Sequence, residues 1–158
     1  TYVQRYYMKQ VLQAANRRFY QMSAGQFELR IMDLAQAAKG SNRGLDLMVH
    51  SFVTGASREV RTLSGGESFM AALSMALGLA DIIQNTAGAV SLVTMFVDEG
   101  FGSLDDASRD RAIQILKELA GEKGLVGIIS HLPQLKEQIP SQIQVKTGRN
   151  GSTIQILP

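Results

Sequence analysis

The chain has 158 residues, 45% hydrophobic and 19% charged, enough for one domain with a real core. It has no cysteine, which excludes a disulfide framework and thiolate metal sites, and a net charge of +2 is too small to imply nucleic acid by itself. No run of about 18 apolar residues stands out, so no membrane partner is expected, and no leader-like opening is read.

Residues 1–22 contain neither proline nor glycine, and Val3, Tyr6, Tyr7, Gln10, Val11 and Ala14 recur at helical spacing. That predicts a helix over residues 2–22, broken at Gly25. The stretch QFELRIMDL alternates and reads as a strand; AAKGSNRG reads as a turn; LDLMVHSF alternates again and completes a hairpin. REVRTL reads as a third short strand. Past Gly66, ESFMAALSMALGLADIIQ is apolar on most of its surface, which predicts a largely buried helix. SLVTMFVD is a continuous apolar strand of the kind found inside parallel sheets. DDASRDRAIQILKELAGEKG is amphipathic, with Ala112, Ile115, Leu116, Leu119 and Ala120 on one face and Gly121 or Gly124 to close it. LVGIIS is a second apolar strand, so the pair forms a βαβ unit with parallel strands. QIQVKTGRNGSTIQILP is two alternating runs about a turn, a β-hairpin. The expected fold class is α/β: a single domain with a parallel βαβ core and added antiparallel strands and hairpins.

Chemistry concentrates where the apolar strand ends. Asp98-Glu99 is an acidic pair at the edge of a core, costly unless something binds it. Ligands of parallel sheets bind at the carboxyl ends of strands, and His131 ends the next strand. Asp98, Glu99 and His131 are therefore expected to cluster at one sheet edge. A hydrophobic strand running into Asp-Glu is the pattern of a Walker B element. There the aspartate can hold Mg²⁺ through its water shell and the glutamate can take a proton from an attacking water. The plainer reading is a cap on the next turn. Ser64 is placed as the N-cap of the buried helix, with Glu67 as its capping-box partner. Gly65 and Gly66 between them weaken a helix start but let backbone amides approach an anion, so Ser64, Gly65 and Gly66 read as a phosphate-contacting helix start. In GFGSLDD, Gly100 and Gly102 permit tight turns, and Ser103 is expected to cap the following helix with Asp106. The basic pairs Arg17 and Arg18, Arg58 and Arg61, Lys146 and Arg149 read as solvated surface, and no DNA-contact residue is assigned.

The order of these pieces is more specific than any one of them. LSGGE, a long apolar helix, MFVDEGFGSLD and IISH follow the order of an ABC-type ATPase: signature motif, Walker B, D-loop, switch histidine. Glutamate after the double glycine, and glycine rather than proline after Glu99, set the chain apart from transporter subunits. With TLSGGESF and VDEGFGSLD as they stand, it closely resembles the SbcC family of DNA-repair ATPases. QAANRRF, FELRI and RGLDLMV resemble the start of that family's C-terminal lobe, so the resemblance covers nearly the whole chain, with residues 61–131 carrying the motifs. No G-x-x-x-x-G-K-[ST] is present; in the family it lies in an N-terminal lobe beyond a long coiled coil. The resemblance therefore implies one C-terminal half-domain of an ATPase head over residues 1–158. Residues 1–22 would be the end of the coiled coil or its root, and Thr1 as first residue fits a cut there.

By the same resemblance, the cofactors are ATP and Mg²⁺. The partners are the lobe carrying the Walker A motif, a second copy of the head, an SbcD-type nuclease and DNA, in the cytoplasm with the nucleoid. Ser64, Gly65, Gly66 and Glu67 would bind the nucleotide held by the partner head. Asp98 would hold Mg²⁺, Glu99 would be the general base, and His131 would sense or polarise the γ-phosphate. Ser103, Leu104 and Asp105 would form the D-loop. ATP-driven closure of two heads, reversed by hydrolysis, would gate the processing of DNA ends, and the chain alone would be inactive. The competing expectations are another SMC or RecN-like head, a transporter ATPase, a non-catalytic interaction module on the same fold, and a receiver-like phosphotransfer domain using Asp98 with Asp105 or Asp106.

Overall fold

The computed structural model describes residues 2–32, 45–87, 94–149 and 151–158. The expected turn over 37–44 lies outside them, as do the first residues of the strand expected from 91 and Asn150 of the last hairpin.

Helix α1 spans Tyr2–Met22, as its composition predicts. Its buried stripe is Val11, Leu12, Ala14, Ala15, Phe19 and Met22, whereas Val3, Tyr6 and Tyr7 are exposed. The stripe expected from Val3 begins only at Val11, nearly halfway along, because that is where helix α2, Gly65–Ala87, crosses it. The crossing is close: a Cβ on Gly78 would come 2.7 Å from both the Val11 oxygen and the Ala15 nitrogen. Arg18 spans the same crossing to Asp81 at 2.7 Å, with both side chains mostly covered. Arg18 is thus a structural bridge between helices and not the solvated cation expected.

Strands β1 (Phe27–Ile31), β2 (Leu47–Ser51) and β3 (Ser57–Glu59) form an antiparallel sheet in that order. Leu29 faces Val49 and both are buried. Asn16 docks α1 on this sheet through both amide groups: Nδ2 donates to the Leu29 carbonyl and Oδ1 accepts the Leu29 N–H, each at 2.8 Å. The third strand is shorter than REVRTL predicts. After Glu59 the chain winds into a 3₁₀ turn over Val60–Thr62. Thr62 Oγ1 donates to the Glu59 carbonyl at 2.7 Å, and Arg58 donates to the Thr62 carbonyl at 3.0 Å, which satisfies the turn locally.

By length and composition alone α2 is apolar enough to cross a membrane, with mean hydropathy 1.4 over Gly65–Asn85. This corrects the reading of the sequence, where Glu67 and Asp81 interrupt the run and hide it. In the fold Met70, Ala71, Leu73, Ser74 and Leu77 of this helix are buried.

Strand β4 (Thr94–Asp98), helix α3 (Asp106–Lys123) and strand β5 (Leu125–Ile129) form the expected βαβ unit, with β4 and β5 parallel and Asp98 paired to Ile129. Ala112, Ile113 and Leu116 of α3 enter the core, and Gly124 closes the helix. Two expectations fail here. The strand is not buried on both faces: only Val97 is, and Phe96 is 66% exposed. Among the described residues β4 and β5 pair only with each other, and Phe96, Leu125 and Ile129 stand exposed on them. Nor does Ser103 cap α3. Asp105 does, its carboxylate accepting from the Ser108 N–H at 2.9 Å and the Ser108 hydroxyl at 2.8 Å. Helix α4 (Pro133–Gln138) leads to the hairpin of β6 (Gln142–Gly148) and β7 (Gly151–Leu157).

Candidate functional site

The site forms where β4 and β5 end side by side. Asp98 is the last residue of β4 and is exposed. The Glu99 N–H donates to the Ile129 carbonyl at 2.9 Å, which continues the pairing one residue beyond the strand. Glu99 then turns left-handed, φ 55°, and Gly100 follows at φ 94°. A non-glycine residue in that region is uncommon and tends to mark a functional position. The turn directs the Glu99 carboxylate toward the neighbouring strand, where His131 Nδ1 lies 3.1 Å from Oε1. Both side chains stay accessible, His131 at 79% and Glu99 at 48%. The structure therefore gathers Asp98, Glu99 and His131 at one sheet edge, two carboxylates and an imidazole open to an incoming ligand.

The next loop closes on itself. Ser103 donates to the Gly100 carbonyl through its N–H at 3.2 Å and its hydroxyl at 2.7 Å, around the 3₁₀ turn Phe101–Ser103. Ser103 is exposed, Leu104 is buried in the core, and Asp105 caps α3. Both Asp105 oxygens are thus committed to Ser108. That leaves exposed Asp106, paired with Arg109, as the acid the receiver-like alternative would use beside Asp98. Among the described residues no group of three or more His, Cys, Asp or Glu side chains could hold a metal by itself. A single exposed carboxylate such as Asp98 suits Mg²⁺, which keeps most of its waters.

The start of α2 abuts this loop. Ser64 and Glu67 form the predicted capping box: the Glu67 N–H donates to Ser64 Oγ at 3.3 Å, and the Ser64 N–H to Glu67 Oε2 at 2.8 Å. Ser64 and Gly65 are exposed, and Gly66 is buried. A Cβ on Gly66 would lie 2.6 Å from the Ser103 carbonyl oxygen, so this glycine is required by close packing of backbone on backbone. The Ser64 N–H is taken by Glu67, which leaves the Gly65 N–H and the Ser64 hydroxyl, on exposed residues at the positive end of a 23-residue helix, to suit an anion.

One participant was misread in the sequence. Arg58, assigned to solvated surface, grips both Glu67 oxygens at 2.9 Å, and its guanidinium lies 5.9 Å from the Phe27 ring centroid. Arg61, by contrast, is exposed and pairs with Glu59. Arg58 stands nine residues before Glu67 on another element, so no periodicity could have linked them.

Two carboxylates in this region titrate low. Burial pushes the Glu67 carboxyl up, but the Ser64 N–H and hydroxyl and Arg58 together bring it below its ordinary 4.5. The Ser108 N–H and hydroxyl hold Asp105 below 3.8. Groups depressed in the folded state stabilise it above their unfolded pKa, and that contribution is lost as pH falls through the folded value. Denaturant midpoints of the folded head are expected to drop as pH falls below about 4.5, and less steeply in Glu67→Gln, which keeps the cap acceptor without the charge. Equal slopes for the two proteins would contradict this.

Residues 46–118 match the family described as SbcC/RAD50-like, Walker B motif. The chain is 49% identical over 148 residues to the SbcC subunit of the nuclease SbcCD from Vibrio cholerae, covering 93% of this chain and 14% of that protein. It is 45% identical over 148 residues to the SbcC subunit of the same nuclease from Treponema pallidum, covering 94% and 14%. The chain thus spans 14% of the length of these curated relatives. In three dimensions it is similar to a solved SMC ATPase structure concerned with ATP-driven dimerization and DNA stimulated activation. The TM-score is 0.73, with 99% of this chain and 88% of that one covered; at 20% identity this is a likeness of fold.

Proposed function

The chain belongs to the SbcC/RAD50-like family, and on that footing we propose that it is the C-terminal lobe of an ATPase head in an SbcCD-type nuclease. The observation that carries the reading is the Glu99–His131 pair at the parallel-strand edge, backed directly by the loop that supports the start of α2. In this reading ATP and Mg²⁺ bind a head completed by a second lobe with the Walker A motif, and two such heads close over two nucleotides.

Asp98 would hold Mg²⁺, and the ion would supply charge neutralisation at the phosphates. Glu99 takes the proton of the attacking water on its carboxylate, and His131, within hydrogen-bond distance, fixes that carboxylate and faces the γ-phosphate. Ser64 presents its hydroxyl and Gly65 its N–H to the nucleotide of the partner head, with Gly66 allowing the close seat on Ser103. Glu67 holds the helix start in shape rather than meeting phosphate, since an anionic carboxylate there is already engaged by Ser64 and Arg58. Ser103, Leu104 and Asp105 form the D-loop.

The outer faces of β4–β5 and of the last hairpin suit burial by the rest of the head: Phe96, Ile143, Val145, Ile154 and Ile156 are all large, apolar and exposed. Residues 1–22 are proposed as the root of the coiled coil. The SbcD-type nuclease and DNA ends are the proposed partners of the assembled protein, working in the cytoplasm. The test is whether hydrolysis by the complete head depends on Glu99 while nucleotide-driven assembly does not.

A further inference from the structure

We propose that Phe69 is a positioning residue for Glu99, holding the left-handed turn that aims its carboxylate; this rests on the reading of Glu99 as general base. Two consecutive left-handed residues, Glu99 at φ 55° and Gly100 at φ 94°, set where the carboxylate points. Neither is held by its own preference. Glu99 carries a Cβ that disfavours this region, and glycine samples both signs of φ freely.

The clamp comes from both sides. On the strand side the Glu99 N–H donates to the Ile129 carbonyl. On the helix side the Phe69 ring occupies the space a Gly100 Cβ would need: that atom would overlap the ring edge at Cδ2 and Cε2. Phe69 is itself set edge-to-face on Phe101, with centroids 4.9 Å apart and planes at 63°. Phe101 is fully buried and fixed in the core. The ring is therefore a wedge between the N-terminal part of α2 and the Glu99–Gly100 turn, anchored from behind. Remove it, and Gly100 gains room to leave the left-handed region. Glu99 can then relax to an ordinary φ, and its carboxylate swings off His131 Nδ1. In the sequence Phe69 is one more apolar residue of a long apolar helix, which hides the role.

The test is steady-state ATP hydrolysis by a full-length SbcC-type protein carrying this segment. Phe69→Ala is expected to lower kcat roughly 10–100-fold with KM for ATP changed less than about 3-fold, as for a base moved by about 1 Å. Phe69→Tyr, which keeps the ring, is expected to retain kcat, and Phe69→Leu, which keeps apolar volume without the flat ring, to fall between. The double variant Phe69→Ala/Glu99→Gln is expected to be no slower than Glu99→Gln alone, because Phe69 acts through that carboxylate. Wild-type kcat in Phe69→Ala, or a double variant slowed by the product of the two single effects, would overturn the proposal. Should Phe69→Ala not fold, the Leu and Tyr variants decide: a slow Leu with a normal Tyr supports the wedge, and equal rates overturn it. Glu99→Gln hydrolysing at the wild-type rate would instead remove the base assignment itself, a failure distinct from that of the wedge.

Discussion

Replacing Glu99 with glutamine is expected to slow ATP hydrolysis by roughly 10²–10⁴ while leaving ATP-driven association of heads intact. The two effects separate because they draw on different atoms. Glutamine keeps the size of the side chain and can still meet His131, so the sheet edge and the turn at φ 55° are retained. It cannot take a proton from water. Nucleotide binding in this account rests on the exposed helix start at Ser64 and Gly65, on Asp98, and on the other lobe, none of which the substitution touches. Hydrolysis and light scattering on the same preparation check it. Loss of nucleotide-driven association in Glu99→Gln would mean that Glu99 binds rather than abstracts a proton.

Gly66→Ala is expected to lower both assembly and hydrolysis roughly 10–100-fold by displacing the helix start, a misplacement of the scale known to cost that much. Intrinsic propensity favours alanine by up to about 1 kcal/mol in a helix. The new Cβ, however, would stand 2.6 Å from the Ser103 carbonyl oxygen and 3.4 Å from Leu104 Cδ2. That carbonyl is backbone in a closed 3₁₀ turn whose Ser103 N–H and hydroxyl both hold Gly100, so it cannot swing aside as a flexible side chain would. Overpacking of this kind costs about 1–3 kcal/mol, enough to outweigh the propensity gain. Gly65→Ala is the internal comparison: its Cβ would meet Ser103 Cβ at 3.4 Å, an ordinary contact, and stability should not fall. A Gly66→Ala head as stable and as active as wild type would show that α2 and the loop are not locked together.

Much of this was legible in the sequence, and the gaps have physical causes. Helix α1 and the βαβ unit follow from patterning, since helical spacing and apolar strand runs are local properties. The meeting of Asp98, Glu99 and His131 follows from topology, because parallel neighbours place their carboxyl ends together. Burial did not follow. Phe96 and Leu125 read as core because they are apolar, but burial depends on which surfaces are present to cover them. Caps were assigned by residue type, and with serine and aspartate both available the chain used Asp105, one residue before the helix, where its carboxylate reaches the Ser108 N–H. Arg18 and Arg58 read as solvated cations because their partners, Asp81 and Glu67, are distant in sequence and adjacent only in the fold. The weight of Gly66 and Phe69 is steric, set by atoms of another element, and a sequence carries no trace of it.

Half of an ATPase head should bind ATP too weakly to act alone. A helix start favours an anion by only about 0.3–1 kcal/mol when exposed, whereas even a millimolar dissociation constant needs about 4 kcal/mol. The direct measurement is light scattering on the chain mixed with the Walker A-bearing lobe of the same protein, with and without ATP and Mg²⁺, alongside hydrolysis by the chain alone. Assembly is expected only when both lobes and ATP are present, with no turnover by the chain by itself. Substantial turnover by the isolated chain, or Mg²⁺ binding by it with no assembly in the mixture, would rule out a half-site.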